Sequence, residues 1–114
     1  MTLKINIIEE CEKSKNKEFY YGALINKKIE DVYIGYGYLE PKERRDNFGP
    51  GKGHEEIILL LNGEMMMCFQ DEDVMMKKGD SVHIPSGLKV EIENLTNNKL
   101  EFVVAGGHTV QHVH

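Results

Sequence analysis

The sequence has no tryptophan, three prolines and two cysteines among its 114 residues. Cys11 and Cys68 form no close-spaced metal pair, and two cysteines make no disulfide framework. They read as two reduced thiols in a cytoplasmic protein. No apolar run approaches the roughly 20 residues that span a bilayer, so no membrane association is expected. Met1–Glu10 lacks the basic and then apolar pattern of a secretory leader. Basic charge is the minority: 14 Lys and Arg stand against 19 Asp and Glu, for a net charge of −5. That balance argues against nucleic acid as a partner, because phosphate binding needs a basic face. Lys42, Arg44 and Arg45 form the local basic cluster. Long amphipathic helices are also missing. Glu9–Lys17 is polar and charged, and reads as one turn of helix or an exposed loop.

Short apolar runs broken by turn residues fill most of the rest, the pattern of a sandwich or barrel. Strands are predicted over Phe19–Ile25, Val32–Leu39, Ile57–Leu61, Glu64–Phe69, Val74–Met76, Ser81–Ile84, Leu88–Glu93 and Leu100–Ala105. Asn62-Gly63 between two apolar runs predicts a tight hairpin, because both residues tolerate positive φ. Pro41–Gly53 reads as a long irregular loop, of the kind that is functional or mobile. With no internal linker, the chain is expected to be one domain: an arm over 1–18, a barrel over 19–107 and a histidine-containing tail over 108–114.

The spacing of a few residues goes further. Glu56, six residues and then Gly63 (EIILLLNG) reproduce the second half of a G-x5-H-x-H-x3,4-E-x6-G motif. Gly79, Pro85, Gly87 and Asn94 (GDSVHIPSGLKVEIEN) fall on a G-x5-P-x-G-x2-H-x3-N motif. In these two motifs, over about Gly53 to Asn94, the sequence resembles the cupin superfamily. The resemblance implies an all-β fold, a double-stranded β-helix or jelly-roll barrel.

Metal-binding members of that superfamily draw two histidines and a glutamate from the first motif and one histidine from the second. Counted from Glu56, the two histidine positions fall on Pro50 and Lys52, or on Gly49 and Gly51 with the longer spacing. The second-motif histidine position falls on Val90. Glu56 alone remains, and one carboxylate does not hold a transition metal. The resemblance therefore supports the fold and transfers no oxygenase chemistry.

Other residues offer themselves near Glu56. His54 lies two positions before it, on the same face of a regular strand. His-x-Glu supplies two ligands for a divalent transition metal, and His108, His112 or His114 of the tail would supply more. Set against this, His54 is a loop-edge histidine, the tail frays, and Lys52 neutralises a buried Glu56 by ion pairing. Tyr33, Tyr36, Tyr38 and Phe48 are expected to wall the barrel mouth, with Arg44 and Arg45 placed to receive an anionic ligand.

The leading expectation is a cupin that binds a small molecule beside Lys52, His54, Glu56, Tyr38, Arg44 and Arg45 without the usual metal site. The second is an enzyme: a non-standard metal on His54 and Glu56, or metal-free isomerisation with Glu56 as base and His54 as acid. The third is a structural scaffold with a packed interior. Both faces of the strand after Glu56 are apolar, Glu56, Ile58 and Leu60 inward and Ile57, Leu59 and Leu61 outward. A solvated sheet face is not apolar, so a homodimer is expected. The methionines of Met65–Met67 and Met75–Met76 read as core or interface filler.

Overall fold

The computed structural model describes residues 4–23 and 29–109. Among these residues one short helix, α1 (Ile7–Lys13), precedes nine strands: β1 (Glu18–Gly22), β2 (Val32–Leu39), β3 (Arg44–Phe48), β4 (His54–Leu60), β5 (Glu64–Cys68), β6 (Asp73–Lys77), β7 (Ser81–Ile84), β8 (Val90–Asn94) and β9 (Leu100–His108). They form two antiparallel sheets, ordered β1-β2-β9-β4-β7 and β3-β8-β5-β6. This is the jelly-roll arrangement that the motifs implied. The expected arm, barrel and tail boundaries are a matter of sequence, and 110–114 lies outside the described residues.

Alternation along each strand aims apolar side chains between the sheets. Leu39, Ile58, Leu60, Met65, Met67, Met76, Ile92, Leu100 and Phe102 are fully buried there. Three methionines thus serve the core, as expected, while Met75 faces solvent. α1 starts at Asn6, whose side chain accepts from the Glu9 amide at 3.0 Å, a normal helix cap. The helix packs on β1 and β2 and buries Cys11.

Two sequence expectations change. Asn62-Gly63 makes no hairpin: β4 and β5 lie in different sheets. Gly63 has φ +78°, but Asn62 is not in the left-handed region that a two-residue hairpin needs. The Asn62 side chain instead accepts from the Glu101 amide and donates to the Lys99 carbonyl, tying the corner to β9. The hairpin in this region is β5–β6, paired from Glu64↔Lys77 to Cys68↔Asp73. Second, the segment read as a loop over Pro41–Gly53 contains β3. Its polar residues show no period-two pattern, and its pairing with β8 is interrupted by an irregularity between Arg45 and Phe48.

Asn94 shows what its motif position does. It is fully buried, and its amide donates to the carbonyls of Glu40 at 3.0 Å and Asn98 at 2.8 Å. Its oxygen accepts from the Thr96 amide at 2.9 Å and the Thr96 hydroxyl at 2.7 Å. One side chain therefore fixes the β8–β9 turn against the end of β2.

Candidate functional site

Adjacent strands place Tyr33, Gly106 and Glu56 in one row across β2, β9 and β4. The middle residue has no side chain, so the Tyr33 ring lies across it. A Cβ on Gly106 would sit 2.5 Å from Tyr33 Cζ. The phenol crosses β9 and donates to Glu56 Oε2 at 2.8 Å. Glu56 is 5% exposed, and its Oε1 has no hydrogen-bond partner among the described residues. Burial raises the Glu56 pKa above the ordinary carboxylate value; the Tyr33 hydrogen bond opposes this and the charge of Glu18 adds to it.

Aromatic rings fill the surrounding volume by the same device. Tyr20 lies across Gly35, where a Cβ would be 2.3 Å from its ring, and Phe102 lies across Gly37 at 2.4 Å. Tyr20 meets Tyr33 edge to face with centroids 5.8 Å apart, and Phe48 meets Phe102 at 5.3 Å. Aromatic side chains thus line the barrel interior around Glu56.

One row toward the mouth, His54 and His108 are direct cross-strand partners. Their rings stand 4.6 Å apart, and His54 is 5.8 Å from the Tyr33 ring. His108 Nδ1 lies 3.4 Å from Asp31 Oδ1. Three expected residues, His54, Glu56 and His108, are therefore brought to one end of the barrel. His112 and His114 lie outside the described residues. Sequence reading overlooked Asp31 and Gly106; neither carries a motif signal, and strand register alone reveals them.

The other expected residues lie elsewhere. Lys52 is exposed and forms no ion pair with Glu56 among the described residues; Tyr33 takes that place. Tyr38 faces outward near the far end of β2, with Lys99 Nζ 4.2 Å above its ring. Arg44 pairs with Glu91. Arg45 pairs with Glu18 at 2.8 Å and Glu43 at 3.2 Å. Both guanidiniums are engaged by carboxylates, so the cations that suggested an anionic ligand are already partnered. His83 sits on the outer face, 2.8 Å from Glu55.

Part of that outer face of the five-stranded sheet is apolar. Ile34, Ala105 and Ile57 are successive partners across β2, β9 and β4. Val32, Ile34 and Ile57 are each about half exposed, at 52%, 48% and 51%. At the end nearest Tyr33 the surface dips into a hollow of about 650 Å³, lined by Tyr21, Ile29, Val32, Tyr33, Ile34 and Ala105, among others.

Comparison with known proteins agrees with the fold. The family model of the cupin domain matches residues 39–106. An uncharacterised protein of Methanocaldococcus jannaschii is 37% identical over 49 residues, which are 43% of this chain and 39% of that protein. The chain thus matches well under half the length of that relative. An RmlC-like cupin family protein with a double-stranded β-helix fold, also from M. jannaschii, superposes with a TM-score of 0.59 at 25% identity, covering 69% of this chain and 72% of that one. A cupin protein from Bacteroides fragilis gives 0.66 at 14% identity, covering 89% and 84%. The metal that the fold implies does not fit the motif positions here. Pro50 has no donor side chain, Lys52 points to solvent, Val90 is 4% exposed in the core, and Glu56 is bonded to Tyr33.

Proposed function

The chain belongs to the cupin family, and from that premise we propose that it is a binding module for a small, largely apolar molecule. The molecule sits on the outer face of the five-stranded sheet beside Tyr33, where the hollow lies. The observation that carries this reading is the 650 Å³ hollow beside Tyr33. Its size is within the roughly 300–1,000 Å³ of small-molecule sites, and its mostly apolar lining is typical of them. Tyr33 belongs both to the wall and to the bond with Glu56, so it links an occupant to the one buried carboxyl among the described residues.

Binding of an apolar fluorescent probe, anilinonaphthalene sulfonate, tests this. Ala105 faces outward and is exposed, so Ala105→Trp fills the hollow and leaves the core alone. The expected result is at least ten-fold weaker probe binding with an unchanged unfolding midpoint. Equal binding by the variant would defeat the reading.

A second reading is a homodimer through the same sheet face, favoured by the exposed Val32, Ile34 and Ile57. Contiguous exposed apolar side chains can mark an interaction site, and an isologous pair is the commonest assembly. Light scattering after size exclusion distinguishes the two. A dimer that Ile57→Asp converts to monomer supports the second reading; a monomer that still binds the probe supports the first.

A further inference from the structure

We propose that the occupant of the hollow is a cationic amphiphile: an alkylammonium whose apolar part fills the hollow and whose head meets Glu55. This rests on the reading of the hollow as a binding site and names the class of molecule it takes. A second hollow, of about 300 Å³, adjoins the first, and the two share Val32, Ala105 and Gly106. Strand register explains the junction. On the outer face, Val32, Gly107 and Glu55 form one row across β2, β9 and β4, beside the row of Ile34, Ala105 and Ile57. Gly107 has no side chain, so the surface is low between Val32 and Glu55. A Cβ added there would lie 3.0 Å from the Asp31 carbonyl oxygen and 3.5 Å from Val32 Cγ1. An elongated molecule can therefore run from the apolar hollow across Gly107 to Glu55. The path from β2 to β4 is two strand spacings, roughly 10 Å.

The chemistry changes along that path. Ile29, Val32, Ile34 and Ala105 give the larger hollow its apolar wall. The smaller one reaches Glu55 and His83. His83 Nε2 lies 2.8 Å from Glu55 Oε1, and a carboxylate only accepts, so the ring donates. That bond engages one oxygen and leaves Oε2 for a head group. The His83 and Glu55 side chains are about half exposed, at 54% and 50%, so a charged head reaches the carboxylate while keeping part of its water. Among the described residues no Lys or Arg lines either hollow. A carboxylate or phosphate head would find no permanent cation there. The Glu55 carboxylate attracts an ammonium and repels an anion. Its charge thus selects among molecules whose apolar parts the larger hollow would accept alike.

The test is amide NMR titration of the full chain with octylammonium, octanol and octanoate, followed at Val32, Ala105 and Gly107. It is run at about pH 7, where an alkylamine is protonated. Octylammonium should bind more tightly than octanoate. Glu55→Gln keeps the size of the side chain and removes its charge. It should weaken octylammonium about five-fold, the upper range for an exposed ion pair. It should leave octanol unchanged and should not weaken octanoate. Salt at about 0.5 M should reproduce the loss in the unsubstituted protein, a check that needs no variant to fold. Ala105→Trp should weaken all three. Equal binding of the ammonium and the carboxylate, or ammonium binding that neither Glu55→Gln nor salt weakens, overturns this proposal and leaves the apolar site standing. Binding of none of the three overturns both.

Discussion

Tyr33→Phe isolates the hydrogen bond on which the buried Glu56 depends. The substitution keeps the ring that lies across Gly106 and removes only the hydroxyl that donates to Glu56 Oε2 at 2.8 Å. Since Oε1 has no partner among the described residues, the variant would leave both oxygens unpartnered. A hydrogen bond to a charged group contributes about 1.5–3 kcal/mol, and one to a neutral group about 0.5–1.5 kcal/mol. The loss should therefore depend on the state of Glu56. Because burial raises its folded pKa, Glu56 holds its proton more tightly folded than unfolded. Its contribution to stability is greatest in acid and falls as pH rises through the raised value. Urea unfolding at about pH 9 should show Tyr33→Phe costing about 1.5–3 kcal/mol, and at about pH 4 only about 0.5–1.5 kcal/mol. In a Glu56→Gln background the cost should stay near the lower range at both pH values, since glutamine offers a neutral acceptor. Equal losses in the single variant at both pH values would refute the reasoning.

Other substitutions probe other parts of the account. Gly37→Ala places a Cβ 2.4 Å from Phe102 Cζ and should cost about 1–3 kcal/mol by overpacking, read by chemical denaturation. Asn94→Ala strips the β8–β9 turn of the side chain that both donates to and accepts from it. A loss of about 2–4 kcal/mol is expected, because several buried groups lose partners together. Glu43 is also partly desolvated, but bonds from the Glu40 amide, Lys17 and Arg45 outweigh this and lower its pKa. Its stabilisation is present above the ordinary carboxylate range and is lost as pH falls. Glu43→Gln should therefore cost about 1 kcal/mol near neutrality, and the cost should shrink as pH falls through the lowered folded value, as measured by thermal unfolding.

The fold was legible because its strongest signals are local. Val32–Leu39 and Ser81–Ile84 were bounded as the strands occur, since turn residues flank compact apolar runs. Alternation also assigned Glu56, Ile58 and Leu60 inward and Ile57 outward, which burial confirms. The polar strand β3 and the Asn62-Gly63 corner were misread, because both are decided by partners distant in sequence. The site was legible in part. His54 and Glu56 share a face by simple period two, but the presence of His108 opposite His54 is a property of β4–β9 register. The substitution of Tyr33 for Lys52 as partner to Glu56 rests on Gly106, a residue notable only for the side chain it lacks.

The placement of the ligand on the outer sheet face is tested most directly by amide NMR during titration with the apolar probe. The account expects shifts confined to Val32, Ile34, Ala105 and their neighbours around the hollow. Ile58, Phe102 and Met67, inside the barrel, should stay still. Saturable shifts centred on those interior residues, with none around the hollow, would contradict it.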